Sequence, residues 1–94
     1  MHNLNVQHDI NNNIFFAKVK GAMAHLSYRR VSQKLLEFYD TYVPEESRGL
    51  GVGTHLVESA LDYAKERDIA IEPTCPFVKK IMELSEEYRV LKAT

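Results

Sequence analysis

The segment Arg48-Gly49-Leu50-Gly51-Val52-Gly53 constrains this chain more than any other, because it holds three of the four glycines. A glycine inside a helix costs about 1 kcal/mol relative to alanine, so these residues are not there to stabilise one. What they permit is close approach of main chain to another group. The hydrophobic period also changes across the segment, from two residues before it to a helical repeat after it. A strand, a glycine-rich turn and a helix, in that order, form the context of an anion cradle. Unpaired N–H groups and the helix dipole at the helix start attract phosphate, and Arg48 adds a cation. The alternative is a flexible turn that holds nothing.

The first half reads as strands. Leu4, Val6 and His8 alternate with polar residues, and Asn11-Asn12-Asn13 makes a turn because asparagine tolerates positive φ. Ile14 to Lys20 is β-branched and aromatic and stops at Gly21. Ala22, Ala24, Leu26 and Tyr28 keep the period of a half-buried strand. Arg29 to Lys34 is polar and fits a hairpin connection. Leu35 to Val43 is a mostly apolar run suited to a central strand covered on both faces, ended by Pro44. In the second half, Leu56, Val57, Ala60, Leu61 and Ala64 share one face of a helix over about Gly51 to Arg67. Ile69 to Thr74 is a short strand. Pro76 opens a second helix, with Phe77, Ile81, Leu84 and Tyr88 as its apolar stripe. The expectation is a mixed α/β (α+β) fold, an antiparallel meander leading into a βαβα unit with one parallel strand pair.

Three phosphate ligands compete for the cradle. A Walker A loop needs Lys after its last glycine, and Gly53 is followed by Thr54. A dinucleotide fingerprint needs a third small residue where Thr54 stands, although Glu72 lies roughly where a ribose-binding acid belongs. A chain of 94 residues is also short for a dinucleotide domain. Coenzyme A remains.

Here the chain resembles the GNAT superfamily of N-acetyltransferases, whose signature Arg/Gln-x-x-Gly-x-Gly/Ala follows a strand that ends in Val. Val43 and Arg48 to Gly53 match it. More narrowly it is similar to the small GNAT-like proteins of the YjdJ type. The shared motifs are Gly21, Ala24, Leu26 and Tyr28, then Thr41, Val43 and Pro44, then Arg48 to Gly51, and Cys75 to Val78. The resemblance implies a minimal GNAT-like fold and acetyl-CoA as the cofactor. It implies that main chain from Leu50 to Thr54 binds the diphosphate, with the pantetheine arm between splayed strand ends near Val43 and Thr74 and the thioester near Cys75. The small family usually carries His where this chain has Asp40, so Asp40 stands as a candidate base. Larger members have helices after the first strand and strands after the last helix, which usually form the acceptor site. This chain lacks both.

Cys75 has an argument of its own. It precedes Pro76, which favours a first helical position, so it sits where the positive end of the helix dipole favours the nucleophilic thiolate. Cys75 is therefore a candidate nucleophile for covalent acyl transfer, against the reading that it is a small buried hydrophobe. Lys79 and Lys80, one turn into that helix, are candidates for the 3′-phosphate of the carrier, against a solvated face. His2, His8, His25 and His55 make no metal pair, so no metal is expected, although His25 could approach the strand carrying Asp40. Arg29, Arg30 and Lys34 read as a solvated turn.

Twelve basic against thirteen acidic residues, a net charge of -1, exclude a generally basic nucleic-acid binder. The single cysteine excludes an internal disulfide framework and a Cys-based zinc cluster. No apolar run reaches the roughly 18 residues of a membrane span. Met1 to Asp9 has no basic stretch followed by an apolar segment, so no signal peptide is expected and the expected location is cytoplasmic. The expectation is one acetyl-CoA-binding domain over residues 1–94 that moves an acetyl group to an unidentified amine or other small nucleophile. The alternative is a non-catalytic acyl-CoA binding or sensing module acting with a partner protein.

Overall fold

The computed structural model describes residues 4–93. The strands are β1 (Gln7–Asp9), β2 (Ile14–Val19), β3 (Ala22–Ser32) and β4 (Leu35–Tyr42). A single 3-10 turn at Glu45–Ser47 leads to α1 (Val52–Glu66), β5 (Ala70–Pro73), α2 (Pro76–Glu83) and α3 (Glu86–Arg89). The five strands form one sheet in the order β1-β2-β3-β4-β5. The first three neighbouring pairs are antiparallel and β4–β5 is parallel. The meander followed by a βαβα unit is the expected architecture.

Tight turns make the meander. Asn13 takes φ 57° at the β1–β2 turn, and Asp9 accepts from the Asn12 main-chain N–H and side-chain amide at 3.2 and 2.9 Å. No helix intervenes between β1 and β2. Strand alternation then sorts the sheet into two faces. Phe15, Ala17, Ala24, Leu26, Tyr28, Leu36, Phe38 and Ile71 are buried. Most of them join the apolar face of α1, Val78, Ile81 and Met82 of α2 and Tyr88 of α3 in a single cluster. The other face is open, with Met23, Arg29, Tyr39 and Tyr42 exposed.

Four sequence expectations need correction. β4 is central but covered on one face only, since its apolar run includes two tyrosines that lie in water. The segment from Arg29 is not a loop. β3 runs on to Ser32, and the connection is Gln33-Lys34 alone. The second helix does not reach Tyr88. It stops at Glu83, and Leu84 and Phe77 are 74% and 37% exposed. The stripe at helical spacing crosses a break, after which Ser85 starts α3. Strand pairing at the N-terminus begins only at Gln7, although Leu4 and Val6 do pack on the core. Asn3, part of that alternation, lies outside the described residues.

Candidate functional site

The parallel pair positions the site. β4 and β5 stay in register from Leu35↔Ala70 to Phe38↔Pro73, where β5 ends. The Cys75 N–H still donates to the Phe38 carbonyl at 3.1 Å. β4 continues to Tyr42, paired only with β3. At this point the β3–β4 register slips, with Tyr28 opposite Phe38 and Ser27 opposite Asp40, so Tyr39 is the extra residue of a bulge. The slip puts Thr41 opposite buried Leu26 on the packed face, and Asp40 and Tyr42 on the open face.

Beyond β4, the loop is tied at two points. Buried Ser47 donates from Oγ to the Val19 carbonyl at 3.3 Å, and Arg48 Nε donates to the Val43 carbonyl at 2.9 Å. Gly51, at φ 77° and ψ 13°, occupies the left-handed region immediately before α1, a conformation that a branched side chain resists. Its missing Cβ would point into open space. Gly53 differs, because a Cβ there would lie 3.1 Å from the Phe77 ring and 3.2 Å from Val43. The first helical bond runs from His55 N–H to the Gly51 carbonyl at 3.0 Å. The N–H groups of Val52, Gly53 and Thr54 have no partner among the described residues, as the geometry of a helix start dictates.

These groups face a concavity of about 220 Å³ lined by Val43, Ser47, Arg48, Gly49 and Gly51 to Thr54, with Phe77. A second depression, of about 290 Å³, shares Val43, Arg48 and Phe77 and extends to Thr41 and Tyr42. The two make one groove from the start of α1 to the end of β4. Of the residues singled out in the sequence, Val43, Arg48, Gly49, Gly51, Val52, Gly53 and Thr54 meet in it. Leu50 lies outside that lining with its side chain 43% exposed.

Cys75 begins α2 as expected, with Pro76 at its first turn, and is 7% exposed. Its sulfur lies 3.6 Å from the Thr41 hydroxyl, and no titratable side chain bonds to it among the described residues. Asp40 stands on the open face, 3.7 Å from His25 Nε2, so the sheet separates it from Cys75. Lys79 lines a different concavity, with Pro73, Met82, Glu83, Arg89 and Lys92, and Lys80 is exposed. Glu72 sits opposite Glu37, at the far end of β4 from the glycine loop. Phe77, Ser47 and Thr41 complete the groove without having been singled out for it. Phe77 read as part of an apolar stripe and of a motif, Thr41 only as part of a motif, and nothing marked Ser47.

Comparison with known proteins bears on the family and the fold. Residues 14–91 match the model of the GCN5-related N-acetyl-transferase family. The protein NATD1 of Bos taurus is 30% identical over 82 residues, covering 85% of this chain and 73% of that protein. The NATD1 of Danio rerio is 32% identical, covering 85% and 74%. The solution structure of a GCN5-like protein from Staphylococcus aureus superposes with a TM-score of 0.74 at 27% identity, over 99% of this chain and 91% of that one. Ard1 from Thermoplasma volcanium shares the fold, with a TM-score of 0.56 at 19% identity over 65% of this chain and 43% of its own. The family match over residues 14–91, with relatives about 30% identical over most of the chain, places this protein in the GCN5-related N-acetyltransferase family.

Proposed function

We propose that this chain binds acetyl-CoA in the groove and moves the acetyl group to an amine. The observation that carries the reading is the row of unpaired N–H groups at the start of α1, opening onto a groove that continues to Thr41. Its donors suit a diphosphate, and Arg48 adds charge at the rim. Gly51, whose Cβ would enter open space, leaves the room such a group needs.

Bound acetyl-CoA supplies an activated thioester. The chain positions it and handles the proton. Amides of Val52 to Thr54 hold the diphosphate. Main-chain N–H groups of β4 toward Val43 polarise the acyl carbonyl. Asp40, next to Thr41 in β4, and His25, opposite Tyr42 on β3, stand on the open face beyond the end of β5; the amine approaches from that side, and they accept the proton it must lose. Cys75 serves as a packing neighbour rather than a nucleophile. Its sulfur is buried and has a hydroxyl, not a base, beside it.

Calorimetry with acetyl-CoA tests the reading. Binding is expected for the wild type and is at least about tenfold weaker for Gly51→Val. No heat at millimolar acetyl-CoA overturns it. Release of CoA during a screen of amine acceptors then separates an enzyme from a binding module. Cys75→Ala is expected to keep both binding and turnover, and an acetyl adduct on Cys75 in the intact mass spectrum overturns the direct route.

A further inference from the structure

A second concavity, of about 210 Å³, lies between the end of β5, one side of α2 and the segment after α3. Pro73, Lys79, Met82, Glu83, Arg89 and Lys92 line it. Lys79, Met82 and Glu83 fall on the side of α2 opposite Phe77, at 100° per residue, so the helix itself separates this concavity from the groove.

Its charge is unusual for a chain of net charge -1. Three cations face one lining carboxylate. Lys79 and Lys92 form no ion pair among the described residues, even though Glu83 is one turn from Lys79. Arg89 is held in place: its Nη1 donates to the Glu83 carbonyl at 3.0 Å, and its Nη2 lies 4.0 Å from the Glu86 carboxylate. That anchoring leaves the other guanidinium N–H groups free to bind without first ordering the side chain. Met82, 2% exposed, and Pro73 give an apolar floor, and concave apolar walls focus the potential of the cations around them.

We infer that this concavity is a site for a phosphate monoester. Two negative charges match the two unpaired lysines, and a planar guanidinium is suited to phosphate oxygens. The volume admits a phosphate with a small organic body. The 3′-phosphate of the acyl carrier and a free phosphorylated metabolite are both of this class, and the inference stands whether or not the groove binds that carrier.

The test is NMR titration of the ¹⁵N-labelled protein at constant ionic strength. Inorganic phosphate is expected to shift the amides around Lys79, Met82, Glu83, Arg89 and Lys92 at millimolar levels, and neutral glycerol is not. Arg89→Gln and the double variant Lys79→Gln/Lys92→Gln each weaken that response about tenfold. All three residues are exposed, so the variants keep the fold. CoA and dephospho-CoA then identify the source. A response here to CoA but not to dephospho-CoA assigns the site to the carrier's 3′-phosphate, and a response to inorganic phosphate with none to CoA assigns it to a free metabolite. No shift at these residues, or equal shifts at every surface lysine, overturns the inference. The groove is scored separately, by the amides of residues 49 to 54.

Discussion

The two ends of α1 are finished in opposite ways. At its start there is no side-chain cap and no acidic residue in the first turn, although either would stabilise a helix. At its end almost every group has a partner. Arg67 N–H donates to the Ala64 and Lys65 carbonyls. The Arg67 guanidinium lies 4.0 Å over the Tyr63 ring. Tyr63 meets His8 and Phe15 at 4.5 and 5.5 Å between ring centres, and Ile69 N–H closes the turn onto the Ala64 carbonyl at 2.9 Å. A carboxylate at the first end would neutralise the dipole that a phosphate needs. The helix is therefore held by its packed length and its C-terminal half, and its N-terminal turn is left for a ligand.

The largest effect is expected where α1 packs. Leu61, fully buried, sits in the half we assign to stability, and Leu61→Ala costs about 2–5 kcal/mol by urea unfolding. Acetyl-CoA affinity of the folded fraction stays unchanged. If the same variant lost affinity while remaining folded, the two ends would not be separable. Next comes Gly51→Val. A β-branched residue in the left-handed region costs about 1–2 kcal/mol of stability, and affinity falls at least about tenfold, about 1.4 kcal/mol. A variant as unstable as expected but with wild-type affinity breaks the assignment of the open end.

The finished end was less legible in the sequence than the open one. Glycines at alternate positions after a strand announce the loop, because few other roles explain them. The span of α1 was also legible, from five apolar residues on one helical face. Nothing local announced the aromatic cluster. His8 is stacked 4.0 Å from Phe15 and bonded to the Tyr28 hydroxyl at 2.6 Å, pairings created by the β1–β2–β3 register rather than by any motif. The bulge at Tyr39 was invisible for the same reason, although it decides that Thr41 faces the packed side and Asp40 the open one. The missed break at Leu84 has a different cause. Leu84 and Tyr88 continue a helical spacing by coincidence, whereas Ser85 followed by two acidic residues marked a new helix start.

Proton linkage offers a milder test of the finished end. Burial, reinforced by the Arg67 guanidinium, holds the His8 imidazole below its ordinary value of 6.5, against an opposing pull from Asp9; Arg30 adds to the lowering. The unfolded chain therefore binds a proton there before the folded one does. Stability from this group is present above pH 6.5 and is lost as pH falls from there through the lower folded value. Urea midpoints measured from neutral pH to about pH 5 should fall, and His8→Phe should flatten that slope. Asp9 is held below its ordinary 3.8, first by the Asn12 side chain, and acts at lower pH. An unchanged slope in His8→Phe would mean the imidazole is not desolvated.

The smallest effect concerns an ion pair at that end that joins two helices. Lys65 Nζ lies 2.6 Å from the Glu87 carboxylate, reaching from α1 to α3, and the contact raises the Lys65 value above the usual lysine range. Both side chains are about half exposed, 49% and 51%. Water and salt screen such a pair, and holding two long side chains costs rotamer entropy. Lys65→Met keeps the aliphatic stem and removes the charge, so it isolates the electrostatic part. The expected loss is small, the least of these effects; it is measurable only at low salt and disappears in molar salt. A larger loss, or one that persists in salt, would shift the weight of the finished end from its rings to its charges. The aromatic cluster should then tolerate Tyr63→Leu better than Lys65→Met, the reverse of the order that the packing around Tyr63 predicts.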